Sequence, residues 1–234
     1  MDSASPLPPA RCDVFEAMRS RRSVRAFLPT PVPRPVIESI LELAARAPSG
    51  SNIQPWKVWV VAGKTRETLC AKLLAAHMSE EPGHLDEYGY YPKVWNEPYL
   101  SRRRKLGLGL YGLLGIGRGD TEKAKAQTGR NYLFFDAPVG LFITVNRQFE
   151  MGSWLDTGTF LQSILLAARG FGLHSCPQQS FSKFHAIIKP ELGIPDDEII
   201  ACGVAIGHAD PDAVENTLAS ERAPLSEFAT FRWE

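Results

Sequence analysis

Long apolar runs, paired cysteines and an excess of charge of either sign are all missing from this chain of 234 residues. Nowhere does it approach the ~18 consecutive apolar residues of a spanning helix, so we predict no membrane partner. Its 26 basic and 26 acidic residues give a formal net charge of +0, whereas nucleic-acid binding needs clustered, uncompensated Lys and Arg. We therefore expect no nucleic-acid partner, and any anion site must be local.

The cysteines and histidines do not group into a metal site. The four cysteines form no CxxC pair, and only His174 lies close to one of them, which favours reduced thiols over zinc ligands or a disulfide framework. The N-terminal segment is polar and rich in proline, without the apolar run of a signal peptide. We predict a cytoplasmic protein whose residues 1–11 form a disordered tail.

What is present is the composition of a folded globular protein, with 44% hydrophobic and 22% charged residues. No linker divides the chain after the tail, so we predict one domain over residues 12–234 that ends in an extended arm over 208–234. Helical periodicity and apolar runs predict about seven helices and three or four strands, which is a helix-rich α+β fold.

Capping residues and apolar runs place several of these elements. Asp13 is placed to cap a first helix, and Pro35 lies in the first turn of a second. Strands are predicted over 57–62, 139–145 and 199–206, and a helix over 120–134. The pattern Ser153-x-x-Asp156 resembles a capping box at the start of another helix, which Gly170 ends.

A basic cluster follows the first predicted helix. Guanidinium forks match phosphate oxygens in two-point geometry, and a serine hydroxyl adds a neutral donor. The alternative is a solvated basic turn, which is the usual fate of a charge run. The cluster consists of Arg21, Arg22, Ser23 and Arg25.

Two further segments have the small and amide-bearing residues of a ligand loop. Pro48 to Asn52 offers backbone N–H groups and an amide to a planar or phosphorylated ligand, or is an ordinary helix-to-strand connection. Gly172 to Ser180 has a turn glycine followed by Gln178 and Gln179, whose amides otherwise satisfy backbone groups in a turn.

These segments together resemble the FMN-dependent nitroreductase family, in order and over essentially the whole chain after the tail. The resemblance is carried by Arg21-Arg-Ser-Val-Arg-Ala-Phe27, Ala47-Pro-Ser-Gly-Ser-Asn-Ile-Gln-Pro-Trp56, Gly172-Leu-His-Ser-Cys-Pro-Gln-Gln179 and Asn216 to Glu227. It implies a homodimeric α+β flavoprotein with helices around a central, mainly antiparallel sheet, and two FMN sites at the subunit interface.

The resemblance also implies a role for each segment. The basic cluster and Arg222 would hold the phosphate and pyrimidine side of FMN, although Ser220 stands where many relatives have a basic residue. Arg130 or Asn131 would supply polar contacts to the ring. The partner subunit would contribute Ser49, Gly50, Ser51 and Asn52, and a backbone N–H would meet flavin N5 from the segment Pro177, Gln178, Gln179 and Ser180.

The implied reaction is hydride transfer from NADPH or NADH to FMN and then to an acceptor, in a ping-pong cycle without a catalytic side chain. Accordingly the sequence contains no Ser-His-Asp or Cys-His pattern and no glycosidase-like carboxylate pair. Two alternatives remain open: other flavin chemistry such as reductive dehalogenation or ene or quinone reduction, and a non-catalytic flavin- or anion-binding protein.

The irregular stretch 80–104 is predicted to be a lid, because it is long for a passive connection. Its aromatic residues, followed by three arginines at 102–104, suit a flat nitroaromatic acceptor such as a nitrobenzoate. Equally, the tyrosines could pack the dimer while the arginines are solvated. The candidate substrate-binding residues are Tyr88, Tyr91, Trp95 and Tyr99.

Overall fold

An antiparallel sheet with helices on both faces forms the body of the protein. The computed structural model describes residues 11–79 and 82–233, so the predicted tail, apart from Arg11, lies outside the described residues. The sheet runs in the order β1-β2-β4-β3, and each adjacent pair is antiparallel. This confirms the predicted α+β fold. The strands are β1 (Trp56–Ala62), β2 (Val139–Asn146), β3 (His174–Gln178) and β4 (Glu198–Gly207).

Helices precede, link and follow the strands. Short 3₁₀ segments cover Gly50–Asn52, Arg130–Asp136, Gln179–Phe184 and Val214–Thr217. The α-helices are α1 (Val14–Ser20), α2 (Arg34–Ala44), α3 (Gly63–Ser79), α4 (Tyr99–Leu113), α5 (Thr121–Gly129), α6 (Met151–Gly170), α7 (His185–Leu192) and α8 (Leu225–Phe228). In the described part of the chain, no helix is long and apolar enough to cross a membrane.

The starts of the first two helices agree with their sequence signals. The Asp13 carboxylate caps α1 by accepting the N–H of Glu16 at 2.8 Å, and Pro35 lies in the first turn of α2. The expected capping box is wrong, because α6 begins at Met151 and places Ser153 inside its first turn. The carboxylate of Asp156 instead accepts the N–H of Gly50 at 3.1 Å.

Two other segments differ from the sequence expectation. The turn predicted before Ser180 contains strand β3, which lies at a sheet edge and, among the four described strands, pairs with β4 alone. An edge strand tolerates Pro177. The helix predicted over 120–134 ends at Gly129. The chain then turns tightly, because Phe134, Phe135 and Asp136 all have positive φ, at 54°, 53° and 70°.

Side chains of β2 alternate between two hydrophobic layers. Leu141 and Ile143 pack with Ile164 of α6 on one face, whereas Phe142 packs with Leu69 of α3 on the other. This alternation follows from the twofold period of a strand. Both faces of the sheet are therefore covered by helices.

A cluster of phenyl rings lies directly on the two central strands. The rings of Phe134, Phe142 and Phe181 have centroids 4.6–5.5 Å apart. A Cβ atom at Gly140 would lie 2.4 Å from the Phe134 ring, and one at Gly203 would lie 2.3 Å from that of Phe181. Only glycine permits this approach, which brings the Arg130–Asp136 and Gln179–Phe184 segments down onto the sheet.

Candidate functional site

Three arginines and a serine form a cluster between the end of α1 and the C-terminal arm. We call Arg21, Ser23, Arg25 and Arg222 the basic cup. Arg21 is the C-cap residue of α1, and its N–H bonds the Ala17 carbonyl. Next to it, Ser23 forms a parallel bridge with Ser175 of β3. The end of α1 thus places the cup at the edge of the sheet.

A buried asparagine holds the arm against the cup. The side-chain oxygen of Asn216 accepts the N–H of Arg25 at 2.8 Å. Its amide donates to the carbonyls of Ala26 at 2.8 Å and Asp210 at 2.9 Å. Because Asn216 is 5% exposed, it fixes where the following arm, which carries Arg222, leaves the sheet.

The cup concentrates positive charge. Burial lowers the pKa of Arg21, and the nearby positive charge of Arg222 lowers it further. Cys176 contributes no negative charge at neutral pH, because burial raises its thiol pKa to about 11 against the opposing effects of Arg25, Ser23 and Arg21. An anion between the arginines would relieve their repulsion.

Arg22 faces a different cavity. It is exposed and lines a space of about 500 Å³ with His174, Asp210 and Asn216. Burial, with the charges of Arg169 and Arg22, lowers the pKa of His174 to about 4. The structure therefore brings Arg21, Ser23, Arg25 and Arg222 together but leaves Arg22 outside the cup.

The loop from Ser49 to Asn52 is held in an unusual backbone conformation. Ser51 and Asn52 have φ angles of 49° and 57°, and the Ser49 hydroxyl accepts the N–H of Gln54 at 3.0 Å. Gly50 is bound to Asp156 of α6. Within the described residues no hydrogen bond or ion pair joins this exposed loop to the basic cup of the same chain.

The amides at the end of β3 meet the 3₁₀ segment before β2. Gln178 is 3% exposed, and its amide donates to the backbone carbonyl of Asn131 at 2.8 Å. Its side-chain oxygen is buried and has no partner in the described part of the chain. Of the two predicted ring contacts, Asn131 thus lies beside Gln178, whereas Arg130 forms ion pairs with Glu215 and Asp136.

The next residues contact the start of the predicted lid. The amide of Gln179 donates to the Ser182 hydroxyl at 2.7 Å and reaches Asp86 at 3.4 Å. Ser182 in turn donates to Asp86. Pro177 and Ser180, on either side of the two glutamines, are partly exposed. Polar contacts therefore join the lid to this segment.

A buried carboxylate anchors the lid. The side chain of Glu87 is 4% exposed and lies 2.6 Å from Lys189, which is itself 7% exposed. It also accepts hydrogen bonds from Arg147 at 2.7 Å and the N–H of Ile200 at 3.1 Å. Burial would raise the pKa of Glu87, but these bonds outweigh it and leave the pKa below its ordinary value.

Tyr88 completes the anchor. Its ring packs against Trp154 with centroids 4.6 Å apart, and its hydroxyl donates to the Ala201 carbonyl. Burial raises its pKa, so the phenol stays protonated. We call Asp86, Glu87 and Tyr88 the lid base.

Beyond the base, the lid has an exposed aromatic tip. Tyr91 is 57% and Tyr99 60% exposed. The ring of Tyr91 lies 5.4 Å from that of Trp95, and the guanidinium of Arg103 lies over both, 5.3 and 5.0 Å from their centroids. The structure thus separates Tyr88 from the other candidate substrate-binding residues.

Two contributors to this site were not identified from sequence. Asn216 entered the sequence analysis only as the first residue of a motif. Its three hydrogen bonds join segments far apart in the chain, and no local pattern predicts them. Glu87 lies in an irregular stretch, where no periodicity indicates burial. Among the described residues, no group of three His, Cys, Asp or Glu side chains could hold a metal ion.

Comparisons with known proteins agree on one family. The model described as "Nitroreductase family" matches residues 18–208. A 4-nitrobenzoate reductase of Pseudomonas putida is 41% identical over 94% of this chain and 96% of that protein. A chloronitrobenzene nitroreductase of Comamonas testosteroni is 38% identical over 93% and 96%. The crystal structure of the FMN and NADPH-dependent nitroreductase NfnB of Sphigopyxis sp. strain HMH matches with a TM-score of 0.91 at 40% identity, over 95% of this chain and all of that one.

The buried lid base predicts a large loss of stability on Glu87→Gln. Removing the charge leaves Lys189 buried without its counterion, and we expect unfolding to become easier by about 3 kcal/mol. Urea unfolding at pH 7 measures this, with Glu42→Gln on the exposed face of α2 as control. Equal curves for both variants would contradict the assignment.

The same residue predicts a pH dependence. Because its folded pKa is depressed, its contribution is complete above the ordinary glutamic acid pKa of about 4.3. It is lost as the pH falls through the lower folded pKa. The stability difference between wild type and Glu87→Gln should shrink across that window.

Proposed function

The chain belongs to the nitroreductase family, and from this we propose that it is an FMN-dependent NAD(P)H oxidoreductase that reduces nitroaromatic acceptors. The observation that carries the proposal is the basic cup, where the charge of Arg222 acts on a partly buried Arg21 and no carboxylate of the described residues pairs with either. A cofactor phosphate is the group that this arrangement fits.

The cup binds a phosphate by charge and by geometry. Two guanidinium groups that repel each other gain most from a dianion placed between them. Each fork can donate two parallel N–H bonds to phosphate oxygens. Arg25 is oriented by Asn216 and by its own bond to the Ser23 carbonyl at 3.3 Å. The protein therefore holds the phosphate end with pre-positioned donors.

The other end of the cofactor fits the segment after β3. The buried oxygen of Gln178 lacks a partner among residues 11–79 and 82–233, and an unsatisfied buried acceptor costs about 1–3 kcal/mol. A ring N–H of the isoalloxazine would satisfy it. When bound, FMN would accept a hydride from the nicotinamide donor and transfer it to the acceptor.

The chain itself supplies binding, orientation and electrostatics. Donors of the Pro177–Ser180 segment aimed at the ring edge, together with the positive cup, would stabilise negative charge on the reduced cofactor. The buried bond between Gln178 and Asn131 keeps that segment in place. No side-chain nucleophile is needed for this reaction.

We propose that the protein is a homodimer and that each site uses both chains. The exposed loop 49–52 is held in a defined shape by Asp156, yet it does not contact the cup of its own chain. Large apolar side chains are left open on several elements, among them Met151 at 85%, Phe228 at 71% and Trp233 at 89% exposed. A second copy would cover such a surface.

The lid tip is the proposed contact for the acceptor. Tyr91 and Tyr99 are exposed and Trp95 is half-buried beside Tyr91, which suits stacking with a flat nitroaromatic ring. We assign Tyr88 to anchoring the lid, because its hydroxyl is bound to Ala201. The four cysteines are all unpaired, which supports a reducing, cytoplasmic location.

The proposed function is tested by the visible spectrum of the purified protein under nitrogen. We expect the bands of oxidised flavin, their loss on adding NADPH, and their return on adding 4-nitrobenzoate. A colourless protein that takes up no FMN would contradict the proposal. Bleaching by NADPH without recovery by any nitroaromatic would favour another acceptor class.

The cup predicts a phosphate-specific defect. Arg21→Gln should weaken FMN binding at least tenfold, because a charge-assisted bond is lost. Its affinity for riboflavin, which lacks the phosphate, should stay unchanged. Flavin fluorescence quenching measures both ligands, and Arg19→Gln in the exposed last turn of α1 is the matched control. Equal losses for FMN and riboflavin would argue against a phosphate contact.

The dimer predicts a mass in solution of twice the 25.9 kDa of one chain. Sedimentation equilibrium at several concentrations measures it. FMN should be released in parallel with dissociation on dilution, since each site would lose the partner's loop. A monomer that retains FMN would contradict the two-chain site.

A further inference from the structure

One arginine on α4 lies between aromatic rings and has no acidic partner. The guanidinium of Arg103 lies over Tyr91 and Trp95 at 5.3 and 5.0 Å. No carboxylate of residues 11–79 or 82–233 pairs with it, and no hydrogen bond occupies its donors. Its charge is therefore held in a defined place and remains available to an anion.

The neighbouring basic residues of α4 differ from Arg103 in their partners. Arg102 forms an ion pair with Glu227, and Lys105 contacts both carboxylate oxygens of Glu221 at 2.6 and 2.7 Å. The exposed Arg104 has no side-chain partner among the described residues. Arg103 is thus distinguished from the rest of this basic run by its aromatic support.

Arg103 also lines the large groove between α4 and the C-terminal arm. The groove has a volume of about 750 Å³, and Arg222 of the basic cup lines it too. The lining residues on the α4 side run from Pro98 to Gly109, roughly 16 Å of helix. Four basic and two acidic side chains make the groove net positive: Arg102, Arg103, Lys105, Arg222, Glu221 and Glu227.

We propose that this groove binds the adenosine end of the hydride donor and that Arg103 recognises its 2′-phosphate, which makes the enzyme prefer NADPH to NADH. The inference rests on the proposed function and adds the residue that selects the donor. A phosphate dianion accepts two parallel bonds from one guanidinium. A planar base fits beside it, because Leu106, Leu218 and Pro224 give the groove apolar lining.

The dimensions favour a donor over a single-ring acceptor. A groove of this length exceeds one substituted benzene ring, whereas a phosphorylated nucleoside extends along it. The groove also shares Arg222 with the cup, so a ligand in it would lie next to the flavin phosphate. A nitrobenzoate carboxylate is the competing anion, and the experiment separates the two.

The first test compares donors in Arg103→Gln and in its matched control Arg104→Gln. For Arg103→Gln, kcat/KM with NADPH should fall at least tenfold through KM, as expected for loss of a charge-assisted bond. The value with NADH should be unchanged, and Arg104→Gln should resemble wild type with both donors. Equal effects on NADPH and NADH, or no effect on either, would overturn the proposal.

The second test does not depend on turnover. Adenosine 2′-monophosphate and adenosine 5′-monophosphate are titrated calorimetrically into the FMN-loaded protein. Wild type should bind the 2′ isomer at least tenfold more tightly, and Arg103→Gln should lose this difference. Equal binding of the two isomers by wild type would overturn the assignment.

Two further outcomes distinguish a failure of the donor assignment from a failure of the proposed function. If Arg103→Gln raises KM for 4-nitrobenzoate but not for uncharged nitrobenzene, with NADPH unaffected, the groove binds the acceptor and the donor assignment is wrong. If wild type oxidises neither NADPH nor NADH with any nitroaromatic, the proposed function itself falls. If wild type is active but does not prefer NADPH to NADH, the proposed role of Arg103 is wrong and the proposed function stands.

Discussion

The contact between two phenyl rings and two glycines determines where the chain can place its polar site. Gly140 and Gly203 leave the central strands bare on one face, and the rings of Phe134 and Phe181 occupy that space. Full burial of each ring is worth about 1.5–3 kcal/mol. This gain offsets the cost of three successive positive φ angles at the end of the Arg130–Asp136 segment. Each ring carries its 3₁₀ segment with it, and the segment of Phe134 brings Asn131 against Gln178 at the end of β3.

Charge is arranged in opposite ways at the two ends of the site. At the lid base, the Glu87 carboxylate is surrounded by Lys189, Arg147 and a backbone N–H, so its buried negative charge is fully compensated. At the cup, Arg21 and Arg222 raise each other's energy, and no carboxylate of the described chain compensates them. The first arrangement stabilises the protein in the absence of ligand, whereas the second would gain stabilisation on binding an anion. The contrast supports the proposal that the cup is a binding feature, although both are charged clusters.

Local signals in the sequence predicted local structure well. The cap at Asp13, the proline in the first turn of α2 and three of the four described strands follow from residue type and period. Contacts between segments far apart in the chain could not be predicted from the sequence. Strand β3 has no apolar alternation in its sequence and is held by its pairing with β4 and by the bridge from Ser23. Asp156 resembles a capping residue, but its carboxylate binds the distant loop at Gly50. The basic cluster after α1 and the family resemblance together predicted the residues of the cup. They could not show that Arg22 faces another cavity, since that depends on how the chain turns after α1.

The lid is divided into a base and a tip that belong to different parts of the molecule. Asp86 accepts a hydrogen bond from Ser182 after β3, and the Tyr88 hydroxyl donates to Ala201 of β4, so the base is attached to the sheet. The tip beyond Tyr90 contacts α4, whose own residues are all at least partly exposed and which packs against the arm through Leu218 and two ion pairs. Substitutions confined to the tip therefore act away from the base and the amides of β3. Substitutions in α4 differ, because its ion pairs hold the arm that carries Arg222 of the basic cup. The lid tip can thus change with little effect on the base, whereas a change in α4 reaches the cup through the arm.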